Sequence, residues 1–255
     1  MSSIIRSSLY KLIKDWTFRI TLIIGLAVAA IHLLVFEFDP EETLAGQSLL
    51  TFCSSPASNF GITVPINLII FIVSEFTLGT LRNKIIAGHT KFKLYVVLFL
   101  IGLIFTFSLM IVYLGIVVGI SSAIGGFDIK ALGGASGLCF FLLYTTLTYI
   151  FVTTFSVFFA TLFRSVGGSI SIIVTFLVIV GLLPVFMLAL SSTYNPETPL
   201  IWISPLYVQG MYAFGLANIG KQTSNIIAAG IVTPLYWTIV LFVTGGIIFA
   251  NRDIK

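Results

Sequence analysis

The chain has 255 residues, of which 58% are hydrophobic, only 9% are charged and 24 are Phe, and it carries a formal net charge of +4. A water-soluble domain cannot hide that much apolar surface, so the composition excludes one and makes the bilayer the solvent. No nucleic-acid partner is expected.

In chain order, the first element expected is a helix over residues 2–16. Ile5, Leu9, Leu12, Ile13 and Trp16 fall within one arc of it, and Ser7, Lys11, Lys14 and Asp15 fall opposite, the pattern of a helix lying in the membrane interface. Apolar runs follow at about 18–36, 57–73, 94–122, 138–163, 170–190 and 226–250. A run of about 20 residues, at about 1.5 Å per residue, crosses a hydrocarbon core of about 30 Å. Lipid-exposed backbone must satisfy its own hydrogen bonds, and these runs lack the period-two alternation of a membrane barrel. The expected fold is therefore an all-α membrane bundle of six spans in a single domain, residues 1–255.

Orientation follows from the basic residues, which concentrate on the cytoplasmic side of a membrane. Arg6, Lys11, Lys14, Arg19, Arg82, Lys84, Lys91, Lys93, Arg164, Arg252 and Lys255 fall on the N-terminal side of the six-span scheme, and only Lys130 and Lys221 on the other. Glu37, Asp39, Glu41, Glu42, Asp128 and Glu197 accompany those two lysines. Both termini are expected in the cytoplasm, as in a multi-pass plasma-membrane protein. No cleavable signal, lipidation signal or attached soluble domain is expected.

Two motifs imitate chemistry. "GLANIGKQT", Gly215 to Thr223, approaches a phosphate-binding loop, but Gln222 follows Lys221 where Ser or Thr would hold magnesium, no strand precedes it, and it lies on the outer side. Gly134-Ala135-Ser136-Gly137 resembles the nucleophile motif of rhomboid intramembrane proteases. That chemistry needs a base, which in rhomboids is a His on the sixth span, and residues 226–250 contain none. His32 and His89 are the only histidines. Cys53 and Cys139 have neither metal-ligand spacing nor a convincing disulfide relation, so no metal site is expected.

The longest polar cytoplasmic connection, "EFTLGTLRNKIIAGHTKFK" from Glu75 to Lys93, reads as a short amphipathic helix. Leu78, Leu81 and Ile85 share one face, Thr80, Asn83 and Lys84 face away, and Gly88 fits a helix stop. Glu75, then Gly79-Thr80-Leu81-Arg82, then Gly88 and the basic Lys91, between spans two and three of six, resemble the ABC-2 family of transporter permeases. The residues that carry the likeness cover about twenty positions; the basic residue after the glycine is more usually Arg.

The resemblance implies a type V exporter-like architecture. Glu75 to Lys93 would be the coupling helix that docks into an ATP-binding subunit, and residues 2–16 would be a connecting helix. "NPETPLIWISPLYVQGMYAFG", with Trp202, Tyr207 and Tyr212 suited to the interface, would form short re-entrant helices on the outer side. It further implies two ATPase subunits per complex, holding the ATP and magnesium that this chain lacks, and a second permease copy or a related permease. This chain would itself be no enzyme. The substrate expected is amphipathic or hydrophobic, a peptide, drug or lipid, with export of or immunity to an antimicrobial or toxin peptide favoured.

Its path is read from His32 and from Tyr144, Thr145, Tyr149 and Phe155 in the Thr-, Tyr- and Phe-rich fourth run. Those residues equally suit packing against helices and lipid. A rhomboid-like protease and an ion-coupled secondary carrier are the alternative readings. The carrier suffers from the scarcity of ionisable groups within the spans.

Overall fold

A computed structural model of the protein describes residues 2–38, 59–124, 134–181, 199–208 and 224–252. Among them are eight α-helices and one short 3-10 turn, with no strand: α1 (Ser2–Lys14), α2 (Trp16–Phe38), α3 (Asn59–Thr77), α4 (Thr80–Ile86), α5 (Lys91–Ile124), α6 (Gly134–Phe163), α7 (Val166–Gly181), the turn Pro199–Trp202, and α8 (Ser224–Asn251). The described part of each of the six expected apolar runs falls on a helix, residues 57–58 of the second and 182–190 of the fifth lying outside the described residues. By length and composition Lys91–Ile116, Gly134–Phe163 and Ser224–Asn251 can each cross a membrane, and α3 with α4 forms a bent pair that qualifies as one further span.

Chain chemistry sets the boundaries between helices. Asp15 ends α1 and caps α2, its carboxylate accepting the Thr17 backbone N–H at 2.8 Å. Gly79 takes φ 66° between α3 and α4, a conformation that costs any residue with a Cβ, and the chain turns there by 52°. Gly88, at φ 89°, closes α4 as expected of a stop, with the bond pair Gly88 N–H to Ile85 carbonyl at 2.9 Å and His89 N–H to Lys84 carbonyl at 3.2 Å.

Helix α6 is the centre of the bundle and packs on α3, α5, α7 and α8. Every residue from Phe151 to Val157 is buried, as expected of a helix that is apolar all round. Phe155 stacks on Phe176 of α7 at 4.4 Å between centroids. Between α5 and α6 the hydroxyls of Thr106 and Thr153 meet at 2.9 Å, polar glue of the kind common between membrane helices. Helix α8 comes close to α5 at Gly245, where an added Cβ would fall on the Tyr95 hydroxyl and press on Phe158.

Midway along α8, Trp237 donates its indole N–H to the Ile203 carbonyl at 2.9 Å and so holds the Pro199–Trp202 turn against the bundle. Trp202 is exposed, as an interface residue should be, whereas Tyr207 is fully buried, so its ring belongs to the core. Tyr212 lies outside the described residues.

Candidate functional site

The corner where α3 meets α4 concentrates the charged chemistry of the described residues. Glu75, in the last turn of α3, is 1% exposed. Its Oε1 accepts from Lys11 Nζ of α1 at 2.5 Å, and its Oε2 from Lys84 Nζ of α4 at 3.1 Å. The Thr80 hydroxyl is 2.7 Å from Oε2 and 2.9 Å from the Glu75 backbone carbonyl, and its one proton serves one acceptor at a time. Lys84 also reaches Ser8 at 3.1 Å, and Lys11 lies 5.6 Å from the centroid of the Phe71 ring. One carboxylate thus joins three helices.

Burial by itself raises the pKa of Glu75 and is the largest single influence on it. The hydrogen bonds from Lys11 and Thr80 and the charges of Lys84 and Lys11 together outweigh burial, and the carboxyl sits below its ordinary value. It is ionised at neutral pH.

Around this hub α4 presents two faces. Thr80, Leu81, Lys84 and Ile85 face the protein: Leu81 is 1% exposed and Ile85 packs partly buried against the core. Arg82, Asn83 and Ile86 face out, and Leu78, in the turn before the helix, is 66% exposed. The expectation that Leu78, Leu81 and Ile85 share one face is therefore corrected for Leu78. The 52° bend at Gly79 takes Leu78 out of the helical phase, and the chain's own core covers Leu81. Thr80 and Lys84, expected to face away, turn inward because Glu75 supplies an acceptor there.

The expected stripe on α1 is corrected in the same way. Ile5, Leu9 and Leu12 pack toward the core, but Ile13 and Trp16 are 63% and 69% exposed. The break at Asp15 puts Trp16 in α2 and interrupts the phase that would have aligned it. Lys11, expected on the polar face, reaches inward to Glu75.

Comparison with protein-family models, curated proteins and solved structures gave no match.

Other site residues from the sequence are not gathered at this corner. Tyr144, Thr145, Tyr149 and Phe155 are buried in the chain's own core on α6, where Tyr144 and Phe155 contact Gly230 and Phe176, so among the described residues they pack helices together. The side chain of His32 lies outside the described residues, as do Cys53 and the run Gly215–Thr223. Ser136 is exposed in the first turn of α6. Lys91 starts α5 and donates to the Arg252 carbonyl at 2.9 Å.

Sequence reasoning missed the Lys11, Lys84 and Ser8 contacts to this hub. The available signal was Glu75 itself, a lone acid among basic residues at the end of an apolar helix, which has to find cations if it is buried.

Proposed function

We propose that this chain is the six-span permease subunit of an ATP-driven exporter of the ABC-2 kind, with the α3–α4 corner as its point of contact with separate ATPase subunits and with α1 and both termini in the cytoplasm. The observation that carries the reading is the bent, internally locked corner. Glu75 ties α4 to α1 and α3 through Lys11, Thr80 and Lys84, so a push on α4 is passed to the end of a long apolar helix and not absorbed by a loose loop. The apolar Leu78 and Ile86, 66% and 74% exposed, flank Arg82 on the outward side and form the contact patch. Two copies, or one copy and a related permease, would enclose the path for an amphipathic or apolar substrate. The partner would supply the free energy of ATP hydrolysis.

The test is affinity purification of the tagged chain from its own membranes, with recovery of an ATPase subunit and ATP hydrolysis as readouts. Leu78→Asp with Ile86→Asp would place two charges in a desolvated contact and is expected to lower recovery of the partner at least a hundredfold, each tenfold being about 1.4 kcal/mol. The chain's own thermal stability should stay the same, because both side chains face outward. A double variant that keeps its ATPase, or a wild-type chain that recovers none, sinks the proposal.

A further inference from the structure

Helix α1 turns one side to the Glu75 hub and leaves the other uncovered. Ile4, Ser8 and Leu12 are buried, and Lys11 reaches inward to Glu75. At 3.6 residues per turn the opposite side, an arc about 100° wide, holds Arg6, Tyr10, Ile13 and Lys14. All four are exposed, Tyr10 and Ile13 by 62% and 63%. Lys14 keeps its ammonium on this side, 4.5 Å from the centroid of the Tyr10 ring. Residues 2–14 contain no acid, and the carboxylate of Asp15, next in the chain, is held by Thr17. The charge of Glu75 is spent on the inner side, on Lys11 and Lys84. The outer side is therefore basic and aromatic, with one aliphatic group among its cations.

Beyond Asp15 the exposed ridge of α2 consists of Trp16, Arg19, Ile23 and Leu26, which recur at helical spacing. The inner side of that helix is anchored: Thr21 is buried, and Phe18 meets Phe105 edge to face at 5.5 Å between centroids. Within about 15 Å of helix the ridge passes from an indole and a guanidinium to aliphatic side chains. That is the order of groups met on entering a bilayer from its surface. An acidic protein groove would match the cations of α1 and leave Ile23 and Leu26 in water. An anionic membrane surface accounts for both helices.

We propose that the outer side of α1 and the first turn of α2 dock on an anionic membrane surface, with Arg6, Lys14 and Arg19 beside headgroup phosphates and Tyr10, Ile13 and Trp16 inserted at the interface. No pocket is required, because each cation can meet a headgroup of its own along a helix that lies flat. The side of α1 that meets lipid is thus the reverse of the one expected from its apolar stripe, since Ile5, Leu9 and Leu12 pack toward the core. The inference rests on the membrane reading of the bundle and not on an ATPase partner.

The experiment uses the full chain with Cys53→Ser, Cys139→Ser and Ile13→Cys, purified and placed in nanodiscs of phosphatidylcholine with or without phosphatidylglycerol. An uncharged, water-soluble maleimide polymer reads the exposure of the thiol. The introduced Cys is expected to react at least tenfold more slowly in the anionic discs, since each basic residue near such a surface contributes about fivefold. Asn83→Cys in the same background, on the outward side of α4, should react alike in both. Arg6→Gln, Lys14→Gln and Arg19→Gln together should erase the difference, whereas Arg6→Lys with Arg19→Lys should keep it. Molar salt should also erase it, because screening then acts over about 3 Å.

Equal rates in the two discs, or a difference that persists in the triple Gln variant or in molar salt, overturns the proposal. Protection of the thiol by inorganic phosphate in phosphatidylcholine discs also overturns it, because the ligand would then be a free anion. So does protection in detergent that appears only with a co-purified ATPase, which would assign this side of α1 to a protein. A chain that purifies without any ATPase and still shows the lipid-dependent protection would count against the exporter and uphold this surface.

Discussion

The two charged regions at the α4 end of the bundle solve the same problem in opposite ways. At Glu75 one buried carboxylate draws in two lysines from different helices, and their charges help it stay ionised. At Arg164, in the break between α6 and α7, burial and the neighbouring cation Arg252 of α8 both raise the cost of its charge. A closed set of opposite charges holds helices together and specifies one arrangement. Like charges supply no such lock, although both regions use the basic residues that a topology count treats alike.

The strongest blow to the locked region is Leu81→Asp. Leu81 is 1% exposed and belongs to the hydrophobic core, so a carboxylate there is buried among apolar side chains. A loss of about 3–5 kcal/mol is expected, from the deleted apolar contact and the desolvated charge. Thermal unfolding in detergent measures it, and failure of the chain to accumulate would be the same effect in cells. A variant as stable as wild type would show that Leu81 is exposed and that the outward face has been misplaced.

Glu75→Gln comes next. It leaves Lys11 and Lys84 without a carboxylate, but both lysines retain some access to water, so the cost is about 1–3 kcal/mol and not the larger figure for a fully buried pair. The wild type should show an acid dependence that Glu75→Gln lacks. Because the folded carboxyl titrates below its unfolded value, its contribution is complete above the ordinary glutamate value of about 4.3 and is lost as pH falls through the folded value. Between pH 6 and 8 this group should cause no change. Unfolding midpoints from pH 3 to 7 for both proteins decide the matter, and parallel curves would rule out the hub.

The smallest effect sharpens the comparison from the other side. Arg252→Gln relieves repulsion on Arg164 while losing a bond to the Leu162 carbonyl, and the two changes oppose each other. Stability in lipid-free detergent should stay within about 0.5 kcal/mol of wild type, as for surface substitutions in general. Loss as large as that of Glu75→Gln would mean that the Arg164 region, too, is a lock.

The positions of the helices were legible in the residues, because the length of each apolar run and the Asp15, Gly79 and Gly88 signals act locally on the backbone. So was a short helix within the Glu75 to Lys93 stretch. What the helices turn toward was not legible. Periodicity says which residues share a face, but a seven-residue helix after a 52° bend can be covered on either side, and the core claimed Leu81 and left Leu78 and Ile86 outside. Lys11 looked solvated because a lysine's long flexible stem lets its charge reach a partner that the helical wheel does not show. On α6 there was no amphipathic signal to read, since Phe, Tyr and Thr occur all round it. The neighbouring helices alone decided that Tyr144, Thr145, Tyr149 and Phe155 are packed and buried. Local chain chemistry determines where a helix starts and stops, and only the surrounding helices, competing for the same apolar surface and the same few charges, determine which side of it is inside.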